Sequence, residues 1–110
     1  DISANKKLAV LRTSLSPLEE LILGDNTSLR NLDISHCRLS TLDITKLTAL
    51  TKIYAGQQKQ KDNPSILQSM TVYYSAAQKT VLDPVIADSR DPKKATVAGT
   101  NVGATYVVKN

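Results

Sequence analysis

Tryptophan and phenylalanine are missing from this 110-residue chain, and tyrosine supplies all four of its aromatic side chains. A core built without large rings must rest on many small aliphatic contacts. Cysteine occurs once, at Cys37. A single cysteine rules out an internal disulfide and leaves the redox compartment open. Histidine also occurs once, at His36. Structural and catalytic metal sites draw on several ligands of these types, so neither a metal nor another cofactor is expected. No apolar run approaches the ~20 residues that span a bilayer, and no signal-peptide pattern stands at the start. The chain is therefore expected to insert no segment of its own into a membrane. Fourteen basic and ten acidic residues give a net charge of +4. They are spread evenly: seven basic and six acidic in residues 1–55, seven and four in residues 56–110. A nucleic-acid partner calls for a clustered basic stripe, and the sequence has none.

What the chain does have is a beat. In "LRNLDISHCRLSTLDITKLTALTKI", Leu29–Ile53, an aliphatic residue returns on a fixed spacing while the residues between are mostly small, polar or charged. The pattern Leu-x-x-Leu-x-Leu begins at Leu8, Leu18, Leu29, Leu39 and Leu50, in steps of 10, 11, 10 and 11 residues. The true period is 21. Leu11, Leu32 and Ile53 form one ladder; Ile2, Leu23 and Ile44 form another; Asn5, Asn26 and Leu47, then Ser16, Cys37 and Gln58, form two more. A helix needs apolar residues at a period near 3.6, whereas spacings of three and two suit a short strand followed by a bend. A unit of this length cannot bury its own apolar face and must stack on copies of itself. Strands are expected near 9–13, 30–34 and 51–55, with the opposite wall from 19–23 and 40–44. The two half-units are alike enough that these roles are interchangeable.

Leu29-x-x-Leu32-x-Ile34-x-x-Cys37-x-Leu39 resembles the leucine-rich-repeat consensus, whose ninth position is Asn or Cys. The alternating steps, with "LDIS" and "LDIT", resemble repeats of bacterial secreted and surface proteins. The resemblance covers residues 1–58. It implies a short, curved, right-handed solenoid with parallel strands, an α/β repeat fold. It also implies binding rather than catalysis, and an extracellular or cell-surface location. "DIS" at 1–3 reads as the tail of a unit seen whole in "LDIT". More repeats or a cap are accordingly expected upstream, and the thinly covered Leu8 and Leu11 make a dimer through that end an expectation.

The beat stops after Ala55. "GQQKQKDNPS" reads as a loop and "MTVYY", Met70–Tyr74, as a strand. Ser75 with Gln78 three residues later is a capping-box pattern. Ala77, Val81, Leu82, Val85 and Ile86 give one apolar helix face. Pro84 is expected to end that helix near Leu82, or to open a new one capped by Asp83. "ATVA" (95–98) and "ATYVV" (104–108) read as a β-hairpin. Residues 59–110 are thus expected to cap the repeats of 1–58 within one compact unit, covering exposed rungs and unpaired backbone. The run "YAGQQ…TVYYSAAQKTVL" resembles the closing segment of such bacterial repeat proteins.

Few residues suggest chemistry. Cys37 and His36 are neighbours on an extended segment and point opposite ways, so Cys37 reads as a buried ladder residue. Glu19 and Glu20 are adjacent rather than convergent. Asn26-Thr27-Ser28 has the form of a glycosylation sequon, but Asn26 holds a ladder position and is expected to serve the backbone at a bend. Asp33 and Asp43 are expected to point outward, as solubility groups or as an acidic stripe. No nucleophile, acid and base can be assembled from these groups, so no enzyme is expected. The candidate ligand-binding residues are Arg12, Asn31, Asp33, Lys52 and Tyr54, on the outward face of the expected sheet. A protein partner is expected there, with a glycan as the second choice. The other reading is a spacer or stalk with no ligand of its own.

Overall fold

A computed structural model describes residues 1–90 and 99–109. These residues are α/β, with parallel strands in two three-stranded sheets and one helix. The first sheet joins β1 (Val10–Arg12), β2 (Asn31–Asp33) and β4 (Lys52–Tyr54) in the order β1-β2-β4. The second joins β3 (Thr41–Asp43), β5 (Met70–Tyr74) and β6 (Ala104–Val108) in the order β3-β5-β6. Helix α1 spans Ala76–Asp88.

The register of the first sheet follows the 21-residue ladders. Leu11 lies opposite Leu32 and Leu32 opposite Ile53. These side chains face inward; Leu32 and Ile53 are fully buried, and Leu11, on the edge strand, is partly covered. Leu42 and Val72 enter the same apolar cluster from the second sheet, and Leu82 and Ile86 enter it from α1. Of the two segments expected to form the opposite wall, 40–44 holds β3, whereas 19–23 holds no strand. β3 pairs with β5 through one edge, and among the described residues no backbone hydrogen bond joins 19–23 to 40–43 across the other.

The period also governs the turns. Among the described residues three non-glycine residues take left-handed backbone angles, Leu15, His36 and Gln57, each 21 residues from the next. That region disfavours side chains with a Cβ, so the same bend is imposed by its surroundings three times. Leu15 N–H donates to Ser35 O, His36 N–H to Gly56 O, and Gln57 N–H to Val102 O. Residues 100–102 thus continue a bonding series begun by the repeats. Gly56 permits this approach, since a Cβ there would lie 2.5 Å from the backbone of Val102.

The ninth positions of the half-units bond backward. Cys37 Sγ donates to Thr13 O at 3.1 Å, and Gln58 Nε2 donates to Ile34 O at 2.7 Å, the equivalent carbonyl 21 residues on. Asn26 Nδ2 donates to Ile2 O and Asn5 O. Leu47 offers no donor, and two repeats beyond Ile2 and Asn5 the carbonyls of Ile44 and Leu47 accept from Gln78 Nε2 instead, at 2.6 and 3.0 Å. A helix residue therefore completes what the repeats began. Gln78 is also the N3 residue of the expected capping box: Ser75 Oγ accepts from Gln78 N–H, and Gln78 Oε1 accepts from Ser75 N–H.

Three expectations for the second half need revision. Helix α1 runs through Pro84 to Asp88. Proline removes one intrahelical donor, but Leu82 and Ile86 are buried on either side of it and hold the turn in place. Of the expected stripe Leu82 and Ile86 are buried and Val85 is half-buried, whereas Ala77 and Val81 are exposed and Gln78 completes the buried face. Strand β6 pairs with β5 in parallel, Met70 opposite Ala104 through Tyr74 opposite Val108. The other arm of the expected hairpin, 95–98, lies outside the described residues.

Candidate functional site

The five candidate residues come together on the outer face of the first sheet. Val10, Asn31 and Lys52 form one row across its three strands, and Arg12, Asp33 and Tyr54 form the next. Arg12 and Lys52 are exposed. Tyr54 is half-buried, its ring close enough to Gly99 that a Cβ there would sit at 3.3 Å. Asn31 is half-buried as well. Among the described residues its Oδ1 is buried and has no hydrogen-bond partner. A buried acceptor without a partner costs free energy.

Asp33 departs from expectation. It is only 2% exposed, so it supplies neither solubility nor an acidic stripe. Its carboxylate accepts from Ser35 N–H at 3.1 Å and from Ser35 Oγ–H at 2.6 Å. Asp43 repeats the motif with Thr45, at 2.9 and 2.6 Å, but in the second sheet. The recurrent Asp-Ile-Ser/Thr is a local turn clamp of the Asx type. Its signal was in the sequence: the Ser or Thr two residues after each Asp.

Asp43 is also bound by Lys109 at 2.8 Å, in an exposed pair. The hydrogen bonds from Lys109 and then Thr45 hold its carboxyl down from 3.8 to about 2. A carboxyl depressed in the folded state contributes stability above its unfolded value, and that contribution fades as pH falls from about 4 to about 2. Exposure and salt screening keep it small. Urea titrations at the two ends of this window are expected to show a smaller acid loss for Lys109→Ala than for the wild type, and the difference is expected to shrink in 1 M salt.

Two further chemistry-bearing groups, Cys37 and Asn26, are structural. Cys37 is buried, and desolvation pushes its thiol above the ordinary value. The amide of Asn26 is buried against backbone carbonyls. Glu19 and Glu20 are exposed. Among the described residues no three or more His, Cys, Asp or Glu side chains are placed to hold a metal ion, and no helix is long and apolar enough to cross a membrane.

Sequence reasoning missed one group, around Asn101. Its fully buried carboxamide accepts from Ala55 N–H at 3.0 Å and donates to Ile53 O at 2.8 Å. One side chain thereby does the work of a neighbouring strand along the outer edge of β4. Ser89 Oγ accepts from its Nδ2 at 2.7 Å, and Tyr106 O–H donates to its Oδ1 at 2.5 Å. "GTNVG" reads only as a turn in the sequence, because the register against Ile53 and Ala55 is set by the fold.

No protein-family model, curated protein or solved structure matches the chain.

Proposed function

We propose that residues 1–58 are a short solenoid of the leucine-rich-repeat type, that residues 59–110 cap it, and that the whole is a non-enzymatic recognition module. It presents the outer face of β1, β2 and β4 to a protein partner, outside the cell or at a bacterial surface. The observation that carries this reading is the pair of in-register rows, Val10–Asn31–Lys52 and Arg12–Asp33–Tyr54. At their centre Asn31 carries a buried acceptor without a partner among the described residues. Rigid strands fix these side chains before any partner arrives, which lowers the ordering cost of binding. Tyr54 and Arg12 are residue types that dominate interface energetics. Asp33 anchors the turn beneath them rather than meeting the partner.

The test begins with arrayed bacterial and host-surface proteins and a glycan array, probed with the full chain. For a partner recovered there, Lys52→Ala with Tyr54→Ala is expected to weaken binding by about tenfold or more while circular dichroism stays unchanged. Unchanged affinity overturns the choice of face. A chain that binds nothing on either array fits the spacer reading instead.

A further inference from the structure

We infer that the open edge of β3 is a second docking site, which takes an extended peptide segment with basic side chains by strand addition. Thr71 N–H donates to Ser40 O and Ile44 N–H donates to Tyr73 O. In a parallel ladder alternate residues of a strand bond to one neighbour, so residues 40, 42 and 44 face β5. The N–H and C=O groups of Thr41 and Asp43 therefore point the other way, toward segment 19–23. Among the described residues no backbone bond crosses that gap beyond Arg38 N–H to Leu18 O.

The gap is a trough. Three depressions of about 560, 370 and 200 Å³ run end to end, the first two sharing Glu19, Glu20 and Ser40, the last two sharing Leu23 and Asp43. An unpaired strand edge is a ready template for an added strand. The walls select what is added. Leu23 and Leu39 line the middle depression and suit an apolar side chain. Glu19 and Glu20 stand over the same stretch and, among the described residues, neither carboxylate is in an ion pair. Arg38, Lys61 and Asp62 line the first depression only, and Lys46 the last. The acidic pair is therefore central, and an alternating segment places apolar and basic side chains on its two sides. Asp43 adds no free charge, because Lys109 already holds it.

The probes are the peptides Ac-Val-Lys-Val-Lys-Val-NH2 and Ac-Val-Glu-Val-Glu-Val-NH2, and the lysine peptide with every backbone amide between its residues N-methylated. Each is titrated into the ¹⁵N-labelled full chain at low salt. The lysine peptide is expected to move the amide signals of Thr41, Asp43 and 19–23, and to bind about tenfold more tightly than the glutamate peptide. The N-methylated peptide, which offers no N–H to the edge of β3, is expected not to bind there. Glu19→Gln with Glu20→Gln is expected to abolish the preference and leave the free spectrum otherwise in place. Equal affinity for the two charged peptides, undiminished binding of the methylated one, or shifts confined to the face of β1, β2 and β4 would each overturn the proposal.

Discussion

Replacing Asn101 by alanine is expected to lower the free energy of unfolding by roughly 3 kcal/mol, because several buried partners lose their bond at once. Ala55 N–H, Ile53 O, Ser89 Oγ and Tyr106 O–H all meet the Asn101 carboxamide, and the residue is fully buried. The variant keeps none of these bonds and leaves the outer edge of β4 without its cap. For a chain of this size that loss corresponds to a fall in melting temperature of about 15 °C. Asn101→Asp is expected to lose a comparable amount, since it discards the donor and brings a charge into the same dry setting. Urea unfolding with an unchanged m-value is the check. A loss below about 1 kcal/mol for both variants would mean that the edge of β4 does not depend on this side chain.

The second large effect lies in the ladder itself. Leu32→Ala is expected to cost roughly 3–4 kcal/mol, the range for a leucine that leaves a cavity in a core unable to collapse. Leu32 is fully buried between Leu11 and Ile53. Leu11 carries the same chemistry one strand away but is only partly covered, so Leu11→Ala is expected to cost about half as much. The contrast is the useful quantity, because both substitutions remove the same atoms. Equal losses would contradict the placement of β1 at an edge and β2 in the middle.

Much of this was legible from residues alone, for a physical reason. Side chains that stack on copies of themselves must recur at one spacing, and Leu11, Leu32 and Ile53 do. So do the ninth-position residues, Cys37 and Gln58, which donate back to Thr13 O and Ile34 O. The Ser75–Gln78 cap was legible because both partners lie within one turn. What escaped depends on contacts that no local pattern encodes. Asn101 reaches Ile53 across 48 residues, and Gln78 reaches Ile44 across 34. Pro84 reads as a stop because its local cost is plain, whereas the burial of Leu82 and Ile86 that offsets it is tertiary. Of the candidate face, the register was foreseeable and the burial was not. Asp33 looks outward by alternation, yet Ser35 draws its carboxylate into a turn.

Methyl NOESY on selectively labelled leucine and isoleucine tests the central claim, that successive 21-residue units lie side by side in register. Cross-peaks linking Leu11 to Leu32 and Leu32 to Ile53, with the Leu11–Ile53 pair weak or missing, are the predicted result. Contacts of Leu32 with neither Leu11 nor Ile53 would contradict it.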